Sequence, residues 1–347
     1  MPTLWHQPYT RSDLQRHVMD LCHLADIRPF ELSDGPERGV RALRVRNAAG
    51  LDFTLLTDRG MGLYDVQFRG VPLAFVSSVG VTHPAYAEQP GFGWLRTWPG
   101  GFLTSCGLTQ VGSPCHDNGE ELGIHGRLSN LSAQQVKWGT DWENDRYGLW
   151  AEGTLRETTV FGVNLVLKRR ISTTLDEAKI WIEDRIENQG SAPAPLMFLQ
   201  HFNLGFPLVD STTRLGLPTH TTAPRDEAAR PGLDHCLEFD DPIDDYAEQV
   251  FYHDLQADAD GKVEVRLANP TFNNGQGLGV AWRYPQAEYP LLTEWKMMRA
   301  GFYVVGVEPG NCHVEGRVKE RERGTLQMIA PQEVRTFSIE LEFFNNK

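Results

Sequence analysis

Hydrophobic and polar residues alternate over short stretches along most of this chain. Between Thr336 and Phe343, for example, Phe337, Ile339, Leu341 and Phe343 share one face and Thr336, Ser338, Glu340 and Glu342 the other. That period of two belongs to a strand with one buried and one wetted side. Comparable runs predict strands at 40–46, 51–57, 63–68, 149–155, 163–172, 180–187, 196–203, 262–267, 278–282, 302–307 and 324–329. Glycine (33 residues) and proline (21) recur between these runs, which reads as turns. Helical signal is thin, and its best example lies near the start, where Ser12 as cap with Gln15 at the third position accompanies Leu14, Val18, Leu21 and Cys22 at helical spacing. Closely spaced strands without amphipathic helices between them predict an all-β chain, a large antiparallel β-sandwich with few short helices, rather than a parallel α/β sheet. The polar, acidic segment 207–260 predicts a long excursion over the sandwich. The expected organisation is one domain over 1–347, with 1–38 as an N-terminal extension packed on it.

Charge and cysteine usage narrow the function. With 46 acidic and 33 basic side chains, the formal charge of −13 has the wrong sign for gripping phosphate backbones or anionic lipid. Neither nucleic acid nor membrane is expected as a partner. Met1 to Thr10 lacks the basic start and apolar stretch of a secretion signal. The longest apolar runs, 196–199 and 302–305, fall far short of the ~20 residues that cross a bilayer. Five cysteines without C-x-x-C spacing suit reduced thiols, so a cytoplasmic location is expected.

No glycine-rich phosphate loop, dinucleotide fingerprint, H-E-x-x-H or G-x-S-x-G is present. Four places hold polar residues in apolar strand contexts instead. Arg96 lies between Trp94 and Trp98 ahead of Gly100-Gly101, either holding a ligand's hydroxyls or stacked on a tryptophan. His125 is flanked by glycines and small residues that let a ligand approach, or is a plain loop histidine. His201 and Asn203 share a strand face through their spacing of two, as site residues or as satisfied core groups. Glu308 ends an apolar strand before Pro309-Gly310, as a desolvated base or as half of a salt bridge. Taken together with Trp94, Trp98 and Trp295, these groups suit a polyol ring: aromatic platforms for C–H faces and polar groups for hydroxyls.

The order of these residues resembles the aldose 1-epimerase (galactose mutarotase) superfamily. The stretches Asp58-Arg59-Gly60-Met61, Pro99 to Leu108, His125-Gly126-Arg127, Trp295 to Met298 and Gly306 to Asn311 resemble its aldose-epimerase-like branch, over residues 39 to 344. The resemblance implies a β-sandwich of the galactose-mutarotase type with an open sugar cleft on one sheet. It implies His201 as general acid to the ring oxygen, Glu308 as base on the anomeric hydroxyl, and His125 and Arg96 as substrate contacts. Asn203, Arg127 and Lys296 are expected in the same pocket, where the two cations would suit an acidic sugar derivative. The family's tyrosine after the histidine is absent here, since Phe202 and Asn203 follow His201 directly, and its aspartate contact has no clear counterpart among Asp245 and Asp254. The activity expected is cofactor-free interconversion of sugar anomers, with acid and base on opposite sides of the ring. Two rival expectations are a non-catalytic sugar-binding protein and a metal-dependent isomerase built on His125, His201, Glu308 and His253.

Overall fold

The computed structural model describes residues 1–346. Its body is two antiparallel sheets packed face to face. One has eight strands, ordered Gln134–Glu143, Arg146–Thr158, Asn164–Thr174, Lys179–Asn188, Val334–Phe344, Leu278–Pro285, Lys262–Asn269 and Arg214–Gly216. The other has twelve strands. Its centre runs Gln249–Leu255, Leu291–Arg299, Phe302–Gly310, Met197–Leu204 and Leu103–Leu108, and it continues through Leu51–Leu56 and Arg41–Arg46 to the edge strand Asp26–Glu31. Aromatic rings of the two inner faces meet in the core: Phe198 with Phe337 (4.9 Å), Phe202 with Trp282 (5.7 Å) and Phe102 with Phe343 (5.7 Å between centroids). Among the described residues no helix is long and apolar enough to cross a membrane.

The all-β expectation is met, and its misses have local causes. The run at 63–68 divides into Gly62–Leu63 and Gln67–Phe68. Between them the Asp65 carboxylate accepts from the Thr54 amide (2.9 Å), a bond that a ladder carbonyl would otherwise make. At 324–329 only Met328–Ile329 is strand. The charged helix Arg317–Arg323 precedes it and stops at Gly324, whose φ of 74° is left-handed. The first helix, Arg11–His17, is capped by Thr10 in reciprocal bonds with Asp13, so Ser12 lies inside it. The segment 207–260 is more than a covering loop. It supplies Arg214–Gly216 to one sheet and Thr219–Pro224 and Gln249–Leu255 to the other.

Candidate active site

Met197–Leu204 is buried along its whole length, so alternation alone decides which way each side chain points. Phe198, Gln200 and Phe202 turn into the core between the sheets. His201 and Asn203 turn to the outer face of the twelve-stranded sheet. Behind His201, Gln200 joins a fully buried polar network: its Nε2 donates to Asp184 (2.8 Å), and Arg169 bonds the same carboxylate through two nitrogens (2.8 and 2.7 Å). The neighbouring strand pairs Phe202 with Val307 and Asn203 with Gly306. That register sets Glu308 opposite His201, and Thr293 pairs with Glu308 on the next strand.

His201 Nε2 lies 3.2 Å from Glu308 Oε1. Only 4% of His201 and 2% of Glu308 is exposed, and burial disfavours the charged form of each group. It pushes the Glu308 carboxyl up to about 8 and holds His201, which also faces His125, well below the usual imidazole range. Burial likewise lowers His125 to about 4. Near neutral pH both imidazoles are therefore uncharged, and the Glu308 carboxyl is mainly protonated.

Indole rings cover the pair. Trp98 packs on His201 (5.9 Å), Trp295 (6.0 Å) and Trp94 (5.2 Å), and its Nε1 donates to Thr104 Oγ1 (3.2 Å). His125 lies against Trp94 (4.9 Å) and His201 (5.6 Å). The covering segment is anchored by the buried Arg59, which donates to the Thr82 carbonyl (2.8 Å) and hydroxyl (2.9 Å) and the Thr97 carbonyl (2.7 Å). Under this cover four buried polar atoms have no hydrogen-bond partner: His125 Nδ1, His201 Nδ1, Asn203 Oδ1 and Thr293 Oγ1. Buried polar groups are ordinarily satisfied, so these four unpartnered atoms near His201 and Glu308 single out this region as a candidate ligand site.

The structure thus gathers His201, Glu308, His125 and Asn203. Arg96 lies on the covering segment with an exposed side chain 3.7 Å from Glu88. Arg127 lies two residues after His125, and its amide donates to the Gly107 carbonyl (3.0 Å). Lys296 is a correction: alternation turns it to the face opposite Trp295. There its Nζ donates to the carbonyls of His235 (3.3 Å) and Glu238 (2.6 Å). Two further expectations change. His201 and Glu308, expected on opposite sides of a ring, stand side by side, and tryptophans cover the face where an open cleft is expected. His253 does not join His125, His201 and Glu308, because it bonds Glu294 (2.9 Å) on the other face of the sheet.

Sequence reasoning missed Thr293, Glu248 and Arg225. Glu248 accepts from Trp295 Nε1 (3.0 Å) and Arg225 Nη2 (3.0 Å), bracing the tryptophan beside His201. Leu291–Arg299 escaped notice because the buried Glu294 and Lys296 interrupt its apolar alternation. A period-two reading that allowed charges on the inward face would have found it. Glu248 and Arg225 carry no local signal.

The fold is that of the galactose-mutarotase-like proteins. A Klebsiella pneumoniae protein, provisionally named an aldose 1-epimerase, superposes with a TM-score of 0.88 at 23% identity, covering 96% of this chain and 86% of its own. Galactose 1-epimerase of Lactobacillus acidophilus superposes with a TM-score of 0.60 at 13% identity, covering 93% of this chain and 100% of its own. A galactose mutarotase-like protein of Clostridium acetobutylicum gives 0.63 at 13% identity, with the same coverage. At these identities the likeness is one of fold. The chain belongs to the family described as Domain of unknown function (DUF4432), whose model matches residues 37–343. A search of curated proteins finds no match.

Proposed function

We propose that this protein is a carbohydrate epimerase of the mutarotase type, interconverting the anomers of a free sugar through general acid/base ring opening. The observation that carries this reading is the desolvated contact of His201 with Glu308. The anomeric hydroxyl and the ring oxygen are bonded to the same carbon, so adjacent groups on one floor can serve both. Opening the ring requires one proton to leave the hydroxyl and one to reach the ring oxygen. Once the carboxyl proton of Glu308 has moved to His201, whose Nε2 is 3.2 Å away, Glu308 accepts from the hydroxyl and His201 donates to the ring oxygen. The C1–C2 bond rotates in the open aldehyde, and reversal of the two transfers closes the other anomer. General acid/base assistance of ~10²–10⁴-fold suits a reaction that already proceeds in water.

With Lys296 turned away, one of the two cations that would suit an acidic derivative is absent from the floor, which favours a neutral sugar. Trp98 and Trp295 offer faces for its C–H edges, and admission of the ring requires the Trp94–Trp98 segment to shift. Five free thiols suit a reducing, cytoplasmic setting. Saturation-transfer NMR on a panel of neutral and acidic aldoses tests the reading. At least one neutral sugar should show enzyme-dependent exchange between its anomer signals. Binding without accelerated exchange for any sugar would instead make the protein a sugar-binding module.

A further inference from the structure

On the face of the twelve-stranded sheet turned away from the cleft, a Cys, a His and a Glu meet under the segment that carries Cys236. Donor atoms of Cys236, His253 and Glu294 all lie within 4.8 Å of one another, and the three residues are 6%, 1% and 0% exposed. We propose that these three side chains form a binding site for a zinc-type divalent transition ion.

Three observations converge on it. First, the donor set of one thiolate, one imidazole and one carboxylate suits zinc or cobalt, whereas magnesium and calcium take oxygen donors. Bonds of about 2.0–2.3 Å in a tetrahedral site space the donors by roughly 3.3–3.7 Å, a spacing small side-chain movements reach from the observed cluster. Second, Thr222 Oγ1 lies 3.0 Å from His253 Nδ1. A proton on Nδ1, donated to that hydroxyl, leaves the Nε2 lone pair free for a metal, the outer-shell arrangement that orients ligating histidines. Third, Glu294 uses only Oε2 toward His253 (2.9 Å), while its buried Oε1 has no hydrogen-bond partner. Lys296, two residues along the same face, does not fill that role, because its ammonium is drawn to the carbonyls of His235 and Glu238.

An ion here would tie the Cys236 segment to Gln249–Leu255 and Leu291–Arg299, stiffening the strand that presents Thr293 and Trp295 on its other face. Binding releases the thiol proton to solvent. Nothing in this site depends on the sugar chemistry of the cleft.

Cobalt titration of chelator-treated full-length protein tests it. One equivalent of Co²⁺ should produce visible bands of tetrahedral cobalt together with a near-ultraviolet thiolate-to-cobalt charge-transfer band. Cys236→Ser should abolish the charge-transfer band and Cys22→Ser should leave it intact. Thr222→Val should weaken Co²⁺ binding by about 10–100-fold. Absence of the charge-transfer band, or its survival in Cys236→Ser, overturns the proposal. Should Cys236→Ser fail to fold by circular dichroism, X-ray absorption of the zinc-loaded wild-type protein decides. One sulfur with nitrogen and oxygen neighbours supports the site, and zero sulfurs or several refute it.

Discussion

A methyl group on Gly306 would lie 2.5 Å from Oε1 of Glu308 and 2.9 Å from Cβ of Trp295. The two residues are neighbours on one face of Phe302–Gly310, and the missing side chain of Gly306 is what lets the carboxylate lie back along the strand. Gly306→Ala is therefore expected to move the Glu308 carboxylate while the sheet stays intact. Anomer exchange should fall by at least about tenfold, equivalent to ~1.4 kcal/mol in the barrier, together with a lower melting temperature, because the contact with Trp295 Cβ must also open. Unchanged exchange would mean that the carboxylate position is not critical.

The raised titration of Glu308 has a consequence for stability. The carboxyl ionises near 4.5 when unfolded and at about 8 when folded, so between those values the native state binds the extra proton. Stability contributed by this group is full below about pH 4.5 and is lost as pH rises through about 8. At ~1.4 kcal/mol per pH unit the loss is on the order of 5 kcal/mol at most. Glu308→Gln removes this dependence. In urea titrations the variant should gain on the wild type from pH 5 to about pH 8 and then hold level; a constant difference from pH 5 upward would show that Glu308 is ionised throughout.

The wall behind His201 depends on a buried charge pair. Arg169 and Asp184 side chains are both 0% exposed, with Arg169 Nη2 2.7 Å from Asp184 Oδ2, and Gln200 ties the pair to the strand that carries His201. Asp184→Asn leaves the guanidinium without a countercharge, which typically costs ~3–5 kcal/mol. Chemical denaturation should show a loss of that size. A loss below about 1 kcal/mol would mean that the carbonyls of Gly60 and Met61, within 3.1 and 3.4 Å of Arg169 Nη1, suffice for the charge.

Much of this architecture was legible in the sequence because strand periodicity is local. The alternation of Phe337, Ile339, Leu341 and Phe343 survives directly as the buried positions of Val334–Phe344. His201 and Asn203 could be assigned a shared face for the same reason. What could not be read was anything set by register between strands or by the path of the covering segment. The family-like motif Trp295 to Met298 implies a common pocket for Trp295 and Lys296, yet alternation sends them to opposite faces. The distance between His201 and Glu308 depends on a pairing across more than a hundred residues, and the closure by Trp98 depends on Arg59 holding Thr82 and Thr97 from another part of the chain.

The most direct measurement is the anomer-exchange rate of wild type, Glu308→Gln and His201→Asn, read by saturation-transfer NMR on a sugar the wild type turns over. The paired-proton mechanism predicts that each substitution lowers exchange by about 10²-fold or more. Combining them should cost little more than either alone, because the two groups act as one unit. Exchange at the wild-type rate in either single variant would contradict it.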